Sequence, residues 1–150
     1  MEAQKDFRDL LELFNAHKVE YMIVGAYALA FHGAPHYTGD MDIFVKPDAE
    51  NAQRIIAVLN GFGFGSIGLT APDFEVEDRV VQLGVVPVRV DLVTSITGVS
   101  WEEAVSERVE GIYGDVPGYY IGRRQFIANK RTLGRKKDLA DLEALGEHLS

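Results

Sequence analysis

Two aspartates separated by one residue mark the stretch of this sequence whose side chains could do chemistry. Asp40 and Asp42 stand directly before the apolar run of residues 43–45, which is typical of a β-strand. Side chains two residues apart point to the same side of a strand. The two carboxylates are therefore expected to lie together, and a cation would stabilise them because like charges repel at short range.

A third aspartate, Asp91, lies inside a later run rich in β-branched residues. Val90 and Leu92 face one side of the predicted strand and Asp91 the other. An unpaired buried carboxylate is costly, so Asp91 is expected to have a partner. Three carboxylates suit a hard cation with oxygen ligands, above all Mg²⁺. Two such ions about 3.5–4 Å apart can activate a hydroxyl and stabilise a leaving pyrophosphate.

The donors and positive charge that a bound triphosphate needs are present elsewhere in the chain. Gly25 opens a predicted helix, where backbone N–H groups can bind phosphate. Residues 123–137 contain seven Lys or Arg and no acid, and residues 123–150 carry a net charge of +3 against −11 for the rest. Each feature also has a plain structural interpretation: a strand terminator, a solvated helix face and, for the aspartate pair, a solvated strand edge.

Length and composition predict one domain spanning residues 1–150 with an ordinary core, since 47% of residues are hydrophobic and 25% charged. The absence of cysteine excludes disulfides and thiolate metal sites. A charged amphipathic N-terminus and the lack of any apolar run near 20 residues predict a cytoplasmic protein that does not span a membrane. The net charge of −8 argues against non-specific wrapping of nucleic acid.

Hydrophobic periodicity predicts the elements that position these residues. Helices are expected at residues 6–17, 26–31, 48–59, 100–106, 123–132 and 136–149, and strands at 21–24, 42–46, 79–86, 88–94, 108–113 and 118–121. Residues 79–86 and 88–94 are expected to form an antiparallel hairpin around Pro87. Successive strand–helix units indicate an α/β domain with a small mixed sheet. Residues 63–68 match G-x-G-x-x-G, but a helix precedes them where a dinucleotide site needs a strand.

The order of these features resembles the DNA polymerase beta-like nucleotidyltransferase superfamily: a Gly turn, a helix, T-x-D-x-D and a later aspartate. Residues 24–45 are most similar to small prokaryotic members and their uncharacterised relatives. These members include the nucleotidyltransferase toxins of abortive-infection-type toxin–antitoxin systems. A lysine followed by G-R-x-K-D-x-x-D is also typical of these relatives, and here it corresponds to Lys130 and residues 134–141.

The resemblance implies a nucleotidyltransferase fold with a helical C-terminus and a Mg²⁺-dependent reaction. A nucleoside monophosphate would pass from an NTP, ATP by default, to an acceptor hydroxyl, with release of pyrophosphate. Asp40 and Asp42 would bind the metal ions, and Asp91 would be the third carboxylate and general base. The nucleotide-binding residues that the resemblance implies are Gly25, Ala26, His36, Thr38, Lys130 and Arg135.

Two residues depart from the family pattern, and two more have an open role. The family usually has Gly where this chain has Ala26, and often Arg where it has His36. A histidine is largely neutral at pH 7, so weaker nucleotide binding is expected unless the triphosphate raises its pKa. Asp138 and Asp141 would orient the basic residues, or would simply pair with basic neighbours at helical spacing.

The acceptor and the biological role stay open at this level. A tRNA end, a protein hydroxyl and a small alcohol are all compatible with the sequence. The chain could be the toxin of a toxin–antitoxin system, with an antitoxin protein as partner, or a non-catalytic, antitoxin-type partner of another chain. A plain acidic binding domain is a third reading, which predicts that Asp40 and Asp91 lie far apart.

Overall fold

Six strands form one mixed sheet in the part of the chain that the computed structural model describes, residues 4–34, 39–62, 68–85 and 88–147. The strands are β1 (Tyr21–Val24), β2 (Asp40–Val45), β3 (Val80–Val85), β4 (Val88–Val93), β5 (Val109–Tyr113) and β6 (Val116–Tyr120). The α-helices are α1 (Lys5–Ala16), α2 (Gly25–Phe31), α3 (Ala49–Phe62), α4 (Trp101–Ser106), α5 (Arg123–Leu133) and α6 (Lys136–Ala144), and a 3₁₀ helix spans Ala71–Phe74.

The strand order is β3-β4-β2-β1-β6-β5. Strand β1 is antiparallel to β2, and β2 is parallel to β4, so the three strands nearest the aspartates mix both directions. The pairs β3–β4 and β5–β6 are antiparallel hairpins at the two edges. The predicted α/β class, with a small mixed sheet, helices packed on it and a helical C-terminus, is confirmed.

Helices cover both faces of the sheet because alternate strand residues are apolar on each side. On one face, Ile23 and Ile43 pack in the core cluster that contains the buried residues of α1 and α3. On the other face, Phe44 contacts Trp101 of α4 with ring centroids 5.1 Å apart. This second cluster also contains Leu29 of α2 and Phe126 of α5. Strand alternation places Asp40 and Asp42 on the same face as Phe44.

Most predicted elements are present within one or two residues of their expected bounds. Strand β1 has the predicted limits, and the hairpin of β3 and β4 is antiparallel as expected. Helix α4 begins with the predicted capping box, in which Ser100 accepts from the Glu103 backbone and the Glu103 side chain accepts from the Ser100 backbone. Helix α3 runs to Phe62, three residues beyond its predicted end. It directly precedes residues 63–68, the glycine-rich segment that matches G-x-G-x-x-G.

The last helix is shorter than predicted. It was expected to reach residue 149, but α6 ends at Ala144. Gly146 adopts φ +82°, and the Glu147 backbone N–H donates to the Leu142 carbonyl at 3.0 Å. A left-handed glycine with this hydrogen bond is a common helix terminator. The apolar spacing of the leucines continued past this stop, which is why periodicity alone extended the helix too far.

Several predictions fall on residues outside those that the structure describes. These are His36, Thr38, Pro87 and most of the glycine-rich segment, residues 63–67. Among the described residues, none of the helices has the length and apolar composition needed to cross a membrane.

Candidate active site

The three aspartates come together because β2 and β4 are neighbours in the sheet. The two strands are parallel, and their register pairs Asp42 with Asp91 and Asp40 with Arg89. Because alternate residues share a face, all three carboxylates lie on the side that carries Phe44. A single guanidinium, that of Arg89, lies 3.9 Å from Asp40 and 3.0 Å from Asp91. The wide separation expected of a plain acidic binding domain is therefore not observed.

Asp42 is a largely buried carboxylate that lies close to two other acids. Burial, followed by the negative charges of Asp91 and Asp40, raises the pKa of Asp42 to about 6. The positive charges of Lys130 and Arg89 act in the opposite direction and do not cancel these effects. A group of acids with this electrostatic balance would be stabilised by an added cation.

Gly25 forms one wall of the site and touches Asp42. It begins α2 with φ +67°, a conformation that favours glycine. A Cβ atom added here would lie 2.5 Å from Asp42 Oδ2. The backbone at Gly25 can therefore approach the carboxylate only because this residue has no side chain. Ala26, the other predicted phosphate-binding residue on α2, follows directly in the first turn.

Replacing Gly25 with Ala is expected to displace the Asp42 carboxylate as well as strain the backbone. A non-glycine residue at positive φ costs about 1–2 kcal/mol, and the contact with Asp42 adds to that cost. The matched control is Gly134→Ala, since Gly134 has φ +63° but its nearest contact is an ordinary 3.5 Å. Urea unfolding should show a larger loss for Gly25→Ala. Equal losses would contradict a direct role of Gly25 against Asp42.

The basic C-terminal segment reaches the site through Lys130 of α5. Its ammonium lies 3.3 Å from Asp138 Oδ1 and 3.2 Å from Asp141 Oδ2, and its side chain is only 11% exposed. Its charge also acts on Asp42, because it lowers the pKa of that carboxyl. Lys130 is thus held by two acids of α6 within electrostatic reach of a third acid on β2.

Asp138 connects the predicted basic residues. Its side chain is 0% exposed, and it accepts hydrogen bonds from Arg135 Nε at 2.7 Å and from the Arg135 backbone at 3.1 Å. The hydrogen bonds from Arg135 hold the pKa of Asp138 below its usual range, and Lys130 contributes in the same direction. Asp138 therefore contacts both predicted basic residues: Arg135, which caps the start of α6, and Lys130 of the preceding helix.

Sequence reasoning missed Arg89, which contacts two of the three site carboxylates. Its Nε donates to Asp91 Oδ1 at 3.1 Å and its Nη2 to Asp91 Oδ2 at 3.0 Å. Arg89 is the partner that Asp91 was expected to have. The sequence R-V-D at residues 89–91 could have indicated the pairing of Arg89 with Asp91, because residues two apart on a strand share a face. The contact between Arg89 and Asp40 depends on which strand lies beside β4, so the sequence could not indicate it.

The donor chemistry fits Mg²⁺, since Asp40 and Asp42 of β2 and Asp91 of the neighbouring β4 offer the carboxylate oxygens that this ion prefers. The positive charges of Lys130 and Arg89 offset only part of the burial and repulsion that raise the pKa of Asp42. Within the described ranges, no group of three or more acidic, histidine or cysteine side chains already encloses a cation-sized position. The contributions of His36 and Thr38 lie outside the described residues.

Several solved structures share this fold. A presumed nucleotidyltransferase from Thermotoga maritima matches with a TM-score of 0.64 and 17% identity, over 93% of this chain and 89% of that one. The lincosamide antibiotic adenylyltransferase LnuA, in its lincomycin-bound structure, matches with a TM-score of 0.61 and 17% identity over 99% of both chains. The antibiotic-resistance factor ANT(2'')-Ia matches with a TM-score of 0.61 and 12% identity, over 94% of this chain and 80% of that one.

No protein-family model and no curated protein sequence matches the chain. The likeness to solved structures is nonetheless extensive and covers nearly the whole chain. The chain has the nucleotidyltransferase fold, so the resemblance seen in its motifs is confirmed at the level of the fold. At identities of 17% or less the likeness extends no further than that.

Proposed function

We propose that this protein transfers a nucleoside monophosphate from an NTP to an acceptor hydroxyl and releases pyrophosphate. The observation that carries the proposal is the pairing of Asp42 with Asp91 across parallel strands, with Asp40 on the same face, in a nucleotidyltransferase fold. When bound, Mg²⁺ would neutralise phosphate charge and favour ionisation of the attacking hydroxyl. Asp40, Asp42 and Asp91 are the residues that would hold it.

The protein groups around the carboxylates fit the rest of the reaction. Asp91 accepts the proton of the acceptor hydroxyl as general base. Lys130, which is paired with Asp138 and Asp141 and acts electrostatically on Asp42, would offer positive charge to the phosphates. Gly25 lets the start of α2 lie close to Asp42, and its backbone N–H groups would donate to the phosphates. Ala26, His36, Thr38 and Arg135 complete the proposed nucleotide-binding set.

Metal-dependent nucleotide binding tests this proposal directly. ATP binding to the wild type should need Mg²⁺, and Asp40→Asn should weaken it at least tenfold because one ligand of the metal is removed. Glu110→Gln is the matched control, since Glu110 is an exposed acid on the edge strand β5. Isothermal titration with and without Mg²⁺ measures both. Metal-independent binding that is equal in all three proteins would sink the proposal.

A small alcohol is the acceptor class that we propose to test first. LnuA, an adenylyltransferase of lincosamide antibiotics, matches over 99% of both chains. An acidic chain of net charge −8 is also a poor general ligand for long nucleic acids. Pyrophosphate release should be assayed with lincosamides, aminoglycosides, tRNA and protein in parallel, with each of the four NTPs. Release with tRNA or protein alone would reject the small-alcohol acceptor.

The toxin role is a separate proposal that depends on the same chemistry. If the transfer acts on an essential cellular hydroxyl, expression of the wild type should arrest growth and Asp40→Asn should not. Arrest by both proteins would instead favour a non-catalytic role in binding another chain. Absence of label transfer from all four NTPs to any acceptor would favour that role as well.

A further inference from the structure

Arg89 lies between two of the carboxylates assigned to the metal ions. Its Nε and Nη2 donate to the two oxygens of Asp91 at 3.1 and 3.0 Å. Its Nη1 lies 3.9 Å from Asp40 Oδ2. A guanidinium that engages both oxygens of a carboxylate forms one of the stronger ion pairs in proteins. Two of the three acids, Asp91 and Asp40, are thus paired with a cationic side chain of the same chain.

The pairing of β2 with β4 determines where Arg89 lies, and its side chain is more exposed than that of Asp91. Arg89 and Asp91 share a face of β4, and the register puts Arg89 beside Asp40 of β2. The Asp91 side chain is 13% exposed, whereas that of Arg89 is 33% exposed. The Asp91 carboxylate is therefore largely enclosed, whereas the arginine side chain borders solvent, so we expect that its guanidinium can rotate outward.

A metal ion at Asp40 and Asp91 would compete with Arg89 for the same oxygens. The attraction between Arg89 and each acid is strongest at contact distance, and a divalent cation between the acids would repel the guanidinium at that range. We propose that Arg89 is a positioning residue that occupies Asp40 and Asp91 until metal and nucleotide arrive together, and then moves to the triphosphate. This inference rests on the proposed function.

The consequence is a coupling between metal and nucleotide binding. Metal alone must displace Arg89 into solvent, which costs the ion pair. With nucleotide present, the displaced guanidinium gains phosphate oxygens, to which arginine binds well. Each ligand should therefore strengthen binding of the other by the same factor, as linkage requires. In a variant without Arg89, metal alone should bind more tightly and the coupling should fall.

Mn²⁺ binding followed by electron paramagnetic resonance tests the inference, with α,β-methylene ATP as a nucleotide that is not transferred. Without nucleotide, Arg89→Gln should bind Mn²⁺ about tenfold more tightly than the wild type, since a partly buried ion pair no longer opposes it. Arg89→Lys should lie between the two. The wild type should show strong coupling between Mn²⁺ and nucleotide, and Arg89→Gln a several-fold smaller coupling.

The charge lost in Arg89→Gln is controlled by Arg54→Gln. Arg54 is on α3 and donates to the Lys18 carbonyl, just before β1 begins, whereas Asp42 pairs with the last residue of β1. Arg54→Gln removes the same charge at the far end of the strand and should leave Mn²⁺ binding unchanged. Circular dichroism and the melting temperature establish that each variant is folded.

The outcomes separate this inference from the function on which it rests. Equal or weaker Mn²⁺ binding by folded Arg89→Gln, while the wild type binds Mn²⁺ with nucleotide, would overturn the role of Arg89 alone. An equal gain in Arg54→Gln would overturn it too, because net charge would then explain the effect. Failure of the wild type to bind Mn²⁺ even with nucleotide would overturn the proposed function together with the inference.

Discussion

Asp42→Asn is expected to stabilise the protein in the absence of metal while abolishing its proposed activity. Burial and the charges of Asp91 and Asp40 raise the pKa of Asp42 to about 6. An ionised carboxylate with its pKa raised in this way opposes folding by roughly 1–3 kcal/mol at pH 7.5. The amide has nearly the same shape without the charge, so urea unfolding in EDTA should show that gain for Asp42→Asn.

The stability gained by Asp42→Asn should depend on pH, whereas a gain from better packing would not. Because the folded-state pKa of Asp42 is raised, the folded protein binds more protons than the unfolded chain between about pH 4 and 6. The stability contributed by the protonated carboxyl is present below that window and is lost as the pH rises through it. The advantage of Asp42→Asn should therefore be full above pH 6 and vanish below pH 4.

Although Asp42→Asn should be more stable, its activity and its stabilisation by metal with nucleotide should be lost. Loss of a metal-binding carboxylate removes several kcal/mol of transition-state stabilisation, which is roughly a thousandfold in rate. Mg²⁺ with ATP should raise the melting temperature of the wild type, since a ligand stabilises the state that binds it, but should not raise that of Asp42→Asn. Glu110→Gln, an exposed control, should leave stability and activity unchanged. A less stable Asp42→Asn at pH 7.5 without metal would refute the electrostatic account.

Asp138→Asn is expected to be the most destabilising conservative change near the site. Asp138 is 0% exposed and receives hydrogen bonds from both Arg135 and Lys130. Removing one partner of a buried charge network costs about 3–5 kcal/mol, because the remaining charge loses its compensation. Asp141→Asn is the control: Asp141 contacts the same lysine at 3.2 Å but is 24% exposed, so about 1 kcal/mol is expected.

A double-mutant cycle tells a role in positioning Lys130 from simple helix pairing. Asp138→Asn should be combined with Lys130→Met and measured by urea unfolding. If Asp138 acts on Lys130, the two changes should be non-additive by more than about 1 kcal/mol. Nucleotide binding by Asp138→Asn should also be weaker under conditions where the variant is folded. Additive losses with unchanged nucleotide binding would show that Asp138 serves only Arg135 and its helix.

Local features of the fold were predictable where one stretch of chain contains all the information. The helix start at Ser100 depends on a capping box within four residues, and β1 ends at Val24, directly before Gly25, which adopts φ +67°. The end of α6 was missed although Gly146 lies in sequence there. A glycine can end a helix by adopting positive φ, but it does not always do so. The leucine spacing continued past Gly146 and therefore predicted a longer helix.

The candidate site shows a similar division between chemistry and arrangement. The residue types at Asp40, Asp42 and Asp91 indicated a hard-cation site, because carboxylates two apart on a strand must share a face. The sequence also contained Arg89 and Lys130, but it could not say that they contact acids on other elements. Contacts between residues that are 49 or more positions apart, as from Asp40 to Arg89, depend on which strands become neighbours.

Sequence alone indicated which chemistry to propose, from three acids, a glycine before a helix and a basic C-terminal segment. These follow from side-chain type and from the two-residue and 3.6-residue periods of strands and helices. Only the tertiary structure showed that β4 lies beside β2 in parallel register and that Lys130 forms ion pairs with two acids of α6. Strand order depends on burial summed over the whole sheet, which no single stretch of sequence contains. The pairing of Arg89 and Lys130 with acids on other elements was therefore apparent only in the folded structure.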